Sequence, residues 1–126
     1  MTDKEVLEGN KLLADFDGIK IGVSLYSWRI GCQGPIQEKH LNYHASWGLL
    51  MPLVEKIEAL PADDFHGHFC VFIGAGNNCT IQGSRLSTDP KNYHPAYFND
   101  ATLETKILST WRVCVSFIKW YNGQNK

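Results

Sequence analysis

The chain reads as a single α+β domain over residues 1–126, with three helices packed on a small, mainly antiparallel sheet that contains a β-hairpin near residues 67–84. Three observations predict this class. Ile107, Trp111, Cys114, Ile118 and Tyr121 recur at helical spacing, and Leu108 and Val115 widen their apolar stripe. Leu50, Val54 and Ile57 do the same inside WGLLMPLVEKIEAL, flanked by Met51, Leu53 and Leu60. Between these helices, HGHFCVFI and CTIQG are β-rich runs separated by Gly74, Ala75, Gly76, Asn77 and Asn78. Glycine and asparagine accept the positive φ that a tight reversal needs. A local hairpin among helices, without strict strand-helix alternation, belongs to the α+β class, with helices on both faces of the sheet as the alternative.

The first helix is announced by Thr2 with Glu5 three residues on, the spacing of a capping box. Val6, Leu7, Leu13 and Phe16 share its apolar face and Gly18 supplies the stop. In the following IKIGVSLY, Ile19, Ile21, Val23 and Leu25 alternate with Lys20, Gly22, Ser24 and Tyr26, which predicts a strand with one dry face. Residues 27–45 carry a turn at Gly31, Gly34 and Pro35, and IQEKHLNYH is read as a return strand. Ser46 stands where the N-cap of the middle helix belongs, and Pro52, facing the Gly48 carbonyl, predicts a bent first turn or a later start. After the hairpin, SRLSTDPKNYHPAYFND is polar and ends at Asn99 or Asp100, either of which can cap the last helix, and Gly123 ends it.

A chain of 126 residues buries roughly two thirds of its unfolded surface on folding, enough for one core without staples. Its 12 basic and 13 acidic side chains leave a net charge of −1, with neither sign massed in a run. Nucleic acid and anionic lipid are therefore disfavoured partners. MTDKEVLEGNKLLADF has no apolar stretch of signal-peptide length, and no segment approaches the ~20 apolar residues of a membrane span. Cys32, Cys70, Cys79 and Cys114 lie far apart and read as reduced thiols of a cytoplasmic protein. Cys70 with Cys79, across the hairpin, is the one local pairing to consider.

EGNKLLADFDG near the start, YHASWGLLMPLVEKIEAL in the middle and ETKILSTWRVCVSFIKWYN at the end carry a family resemblance. They resemble a group of small uncharacterised proteins from Bacteroides-type bacteria and their phages or mobile elements, in which an NKLIAEF-like helix, an SW-x-x-LMPVVEKIE-like helix and a closing FIKWYN recur. The resemblance implies the order helix, strand region, helix, hairpin, helix, and a phage-related origin. That group has no established activity, so the resemblance brings no catalytic residue and no cofactor. The chain departs from it at Gly48, where an acidic residue is expected, and at the His66-Gly67-His68 triplet.

His66, His68 and Cys70 would project to one face of a strand, and imidazole and thiolate are zinc ligands. Further ligands would have to come from His40, His44, His94 or Cys79. The spacing favours the plainer reading, with Phe69, Val71 and Ile73 facing the core and Cys70 serving as a small hydrophobe, because paired C-x-x-C or H-x-x-x-H words are lacking. GAGNNC follows a strand as a phosphate loop does, but continues into CTIQG without the helix or lysine such a loop requires. Cys32 with His40 or His44 is conceivable as a nucleophile and base, whereas Cys114 sits on the buried helical stripe. Asp63 and Asp64 beside Pro61 read as a solvated turn or cap.

Four tryptophans and five tyrosines exceed what a minimal core demands. Trp111 reads as core, while Trp28, Trp120, Tyr121 and the Tyr93, Tyr97 and Phe98 cluster are candidates either for packing or for contact with another protein. The function expected from the sequence is a non-catalytic accessory or protein-interaction protein of bacterial or phage origin, with no cofactor. The alternative is a small metal- or ligand-binding enzyme with a site near His66, His68 and Cys70.

Overall fold

The structure, a computed structural model, describes residues 2–25, 27–60, 69–74, 78–83, 97–100 and 105–124. It is an α+β domain with α1 over Asp3–Asp17, a one-turn α2 over Ser27–Ile30, a 3-10 turn over Glu38–His40, α3 over Trp47–Glu58 and α4 over Lys106–Gln124. Its strands are β1 (Phe69–Gly74), β2 (Asn78–Gly83) and β3 (Tyr97–Asp100), arranged β1-β2-β3 and antiparallel throughout.

The hairpin forms where the glycines and asparagines predict it. Ile73 pairs with Cys79 and Gly74 with Asn78, so the register is closed across Ala75–Asn77, which lie outside the described residues. Alternation then decides the faces. Phe69 is buried and Val71 and Ile73 are partly buried, while Cys70 and Phe72 face outward. Cys79 and Ile81 on β2 lie in the core. Exposed Phe72 and Cys70 on the outer side of β1 agree with a sheet covered by helices on one face.

α4 lies across this sheet and also packs on α1 and α3. That double duty explains why its buried surface, which includes Val113 and Phe117 as well as Trp111, Cys114, Val115 and Ile118, is wider than a single stripe. Thr105 caps it, its Oγ1 accepting from Leu108 N–H at 3.3 Å. The expected caps Asn99 and Asp100 instead belong to β3, where they pair with Thr80 and Cys79. The open edge of β2 draws them into a strand despite their poor β propensity, because a paired backbone outweighs a weak local preference. Gly123 lies inside α4 rather than ending it.

α1 starts and stops as its sequence indicates. Glu5 N–H donates to Thr2 Oγ1 at 3.2 Å, and Gly18, at φ 83°, donates its N–H to the carbonyls of Ala14 and Asp15. α3 begins directly after Ser46, whose carbonyl accepts from both Leu49 and Leu50, and it continues through Pro52 without a delayed start. Ser46 makes no side-chain cap bond.

The strand expected over residues 19–26 is absent from the described residues. Ile19 is buried, but Ile21, Val23 and Leu25 are 45%, 40% and 65% exposed. Gly22, at φ 89°, donates to the Ile36 carbonyl at 2.8 Å, and Ile36 N–H donates to Val23 O at 2.8 Å. Two residues stand against one, the arrangement of a glycine bulge, and this ends the pleat instead of extending it. The return strand fails for a related reason. After Ile36 the chain winds into the Glu38–His40 turn, which sends Leu41 and Tyr43 into the core.

α1 and α4 touch at Gly9. A Cβ there would lie 2.4 Å from Trp111 Cζ2 and 3.2 Å from Val115 Cγ2. Gly9→Ala should therefore lose about 1–3 kcal/mol in urea unfolding by overpacking, outweighing the helix propensity gained. Unchanged stability would show that the indole moves aside. Ser109 gives the opposite expectation, because its hydroxyl is fully buried without a hydrogen-bond partner. Ser109→Ala should be neutral or gain up to about 1 kcal/mol in the same measurement.

Candidate functional site

The polar chemistry of the interior is concentrated around α1. Asn10 and Asp17, both 3% exposed, sit on its buried stripe with Gly9, Leu13 and Ala14. They are seven residues apart, two helical turns, and so project from one face. The consecutive residues Tyr43 and His44 reach them both. Tyr43 donates its hydroxyl to Asp17 Oδ2 at 2.8 Å, and His44 Nδ1 meets Asn10 Nδ2 at 3.0 Å.

Donor and acceptor roles in the Asn10 group follow from one fact about indole, which can only donate. Trp111 Nε1 donates to Asn10 Oδ1 at 2.8 Å, so Nδ2 of the same amide faces His44 and Nδ1 must accept. Nε2 is then the nitrogen that carries the ring proton. The His44 and Trp111 rings meet edge-on with centroids 6.4 Å apart. His44 is thus an oriented histidine on the wall of a shallow groove of about 200 Å³, with Asp3, Glu38, Lys39 and Asn42 among its neighbours there. Lys11 and Glu38 pair at 2.6 Å and tie the 3-10 turn to α1.

Among the described residues, Asp17 is the one buried carboxylate. Lys56 of α3 lies 2.6 Å from its Oδ1 and also donates to the Asp17 carbonyl oxygen. A buried anion is tolerated only when paired and hydrogen-bonded, and Tyr43 and Lys56 supply both conditions.

Among the described residues, those singled out in the sequence do not assemble into a centre. His66, His68 and His94 lie outside the described residues, as do Asp63, Asp64 and Tyr93. Cys70 is exposed on β1, Cys79 is buried on β2, and His40 accepts from Gln37 N–H at 3.0 Å within its own turn. Among the described residues no group of three or more His, Cys, Asp or Glu is placed to hold a metal ion. Cys32 does not line the groove of His44. No disulfide joins Cys70 and Cys79, and in the register Cys70 faces Gln82 while Cys79 faces Ile73. Burial pushes the Cys114 thiol far above its ordinary range, and the nearby Cys79 adds to the shift.

Trp120 and Tyr121 join an aromatic cluster instead of standing free. Phe69 and Phe117 meet edge-on at 4.8 Å, Trp120 lies 6.1 Å from Phe69, and Tyr121 stacks on Phe117 at 5.9 Å. Trp28, by contrast, is 78% exposed, and Leu25, three residues before it in the chain, is 65% exposed. Both ride on the loop closed at its base by the Gly22, Val23 and Ile36 backbone bonds. The alternation that predicts a strand hides the exposure of Leu25. Asn10 and Asp17 carry one signal in the sequence, a polar pair two turns apart on an otherwise apolar stripe.

Compared with protein-family models, curated proteins and solved structures, the chain matches none of them.

Removing Lys56 or Tyr43 from the Asp17 group separates their contributions. Lys56→Met should destabilise by about 3 kcal/mol because it takes an ion-pair partner from a buried carboxylate. Tyr43→Phe should lose about 1–3 kcal/mol for one missing donor. Chemical denaturation of both variants checks the order. Thiol labelling of the native protein should modify Cys70 first and half-buried Cys32 more slowly, with Cys79 and Cys114 reacting only after unfolding.

Proposed function

We propose that this chain is a non-catalytic accessory or protein-interaction protein of bacterial or phage/mobile-element origin, working in the cytoplasm. The observation that carries the reading is the exposure of Trp28 and Leu25 on a loop whose base is fixed by backbone hydrogen bonds. An exposed tryptophan on the same short loop as an exposed aliphatic side chain is the composition of an interface anchor, and a fixed base lowers the entropy lost on docking. The bacterial or phage origin rests on the resemblance of the three sequence words above. The cytoplasmic assignment draws support from four cysteines that are thiols, not disulfides, which suits a reducing compartment. Among the described residues no helix is long and apolar enough to cross a membrane.

Affinity capture from host lysate tests this reading when wild type and Trp28→Ala are compared. The substitution should leave stability within about 0.5 kcal/mol, as expected for a surface position, and should lose the captured partner. Identical capture by both proteins would defeat the reading.

The rival, a metal- or ligand-binding protein with a site near His66, His68 and Cys70, draws support from the Cys70 thiol being exposed on the outer side of β1. Under that rival, protein purified without a histidine tag carries stoichiometric zinc, and chelator lowers its melting temperature. Zinc-free protein with unchanged melting removes it.

A further inference from the structure

We propose that the groove between α1 and α4 binds a short zwitterionic peptide, with its amino end on an acidic α1 wall and its carboxylate on a basic α4 wall. The groove measures about 350 Å³. Gly9 and Leu12 of α1 and Trp111 and Val115 of α4 make its floor, which is apolar and narrow. Glu5 and Glu8 line one wall, and Ser116 and Lys119 line the other. Arg112 also lies on the α4 side but already has an interaction of its own, so the cationic role falls to Lys119.

Among the described residues no ion pair joins Glu5 or Glu8 to Lys119, and Glu8 meets only Lys4, at 4.0 Å on the open surface. The walls are therefore available to a ligand that carries both charges.

The size of that ligand follows from the helices. Helices in contact have axes roughly 8–10 Å apart, and extended chain covers about 3.3–3.6 Å per residue. Gly9 is level with Val115 and Phe16 with Tyr121, so Lys119 lies about five residues, roughly 8 Å, further along the helices than Glu8; the diagonal of roughly 12 Å is spanned by about three residues together with the reach of the two charged side chains, with an apolar middle side chain over the Leu12 and Val115 floor. Other occupants fit less well. Glu5 and Glu8 repel a phosphate backbone. The small apolar floor, with Trp111 3% and Val115 8% exposed, offers little area to a docked helix.

A second copy of the chain is also disfavoured. Gly9 faces Trp111 and Val115 while Phe16 faces Tyr121, so α1 and α4 run in the same direction. A two-fold axis parallel to the helices would align four helix dipoles, and one across them would set acid against acid.

Backbone amide NMR of the full chain, titrated with the tripeptide Ala-Leu-Ala bearing free ends, tests the proposal. Saturable shifts are expected at Gly9, Leu12, Val115 and Ser116. The N-acetylated and C-amidated forms should each bind about tenfold more weakly, the equivalent of one lost charged contact. Lys119→Glu should weaken the free acid but not the C-amide, and Glu8→Lys should weaken the free amine but not the N-acetyl form. Both residues are exposed, and thermal melting verifies that each variant folds. Absence of saturable shifts at millimolar peptide, shifts confined to other regions, or equal binding of the blocked peptides would overturn the proposal.

Discussion

Asn10 and Asp17 impose the strongest constraint on this fold. An amide and a carboxylate carried into the interior on one face of a helix need partners there, because each would otherwise forfeit its hydration without return. Their partners come from the 43–44 segment, from α3 and from α4. Seven residues separate the two groups along α1, roughly 10 Å at 1.5 Å per residue. Adjacent side chains in non-helical backbone diverge, so Tyr43 and His44 can reach two points on the helix that far apart. The segment between α2 and α3, which has little regular structure of its own, is thereby fixed in register with α1.

Packing and polarity converge on the same spot. Trp111 fills the space that the absent Cβ of Gly9 leaves open, and its indole N–H reaches the amide of the neighbouring Asn10. A shifted α4 would lose both the close contact and the hydrogen bond, so the two helices have one good alignment. Polar groups that must all be satisfied together discriminate between packings more sharply than apolar contacts, which tolerate sliding. On its sheet-facing side α4 meets Phe69 through Phe117, and the same helix thus transmits the position of α1 to the hairpin.

Legibility in the sequence tracked how local each cause was. The hairpin, the caps of α1 at Thr2 and Gly18, and the apolar faces of α3 and α4 depend on neighbours a few residues away, and they stand where periodicity and turn chemistry put them. Residues 19–26 alternate, yet alternation becomes a strand only with a partner along its edge, and among the described residues that edge is met by Ile36 through two bonds at Gly22 and Val23. β3 escaped notice for the opposite reason: Asn99 and Asp100 are weak strand formers, recruited by the free edge of β2. The candidate site was the least legible part. Asn10, Asp17, Tyr43, Lys56 and Trp111 meet only in space, although all five fall within the three words that carried the family resemblance.

The loop between Gly22 and Ile36 is held by main-chain bonds at its base, and its most exposed side chains contribute little to the core beneath. Natural variation or an engineer could therefore rewrite Leu25 and Trp28 while the scaffold stays intact, much as a tool holder accepts different bits. Such separation lets one framework change its outermost residues without disturbing what lies beneath them.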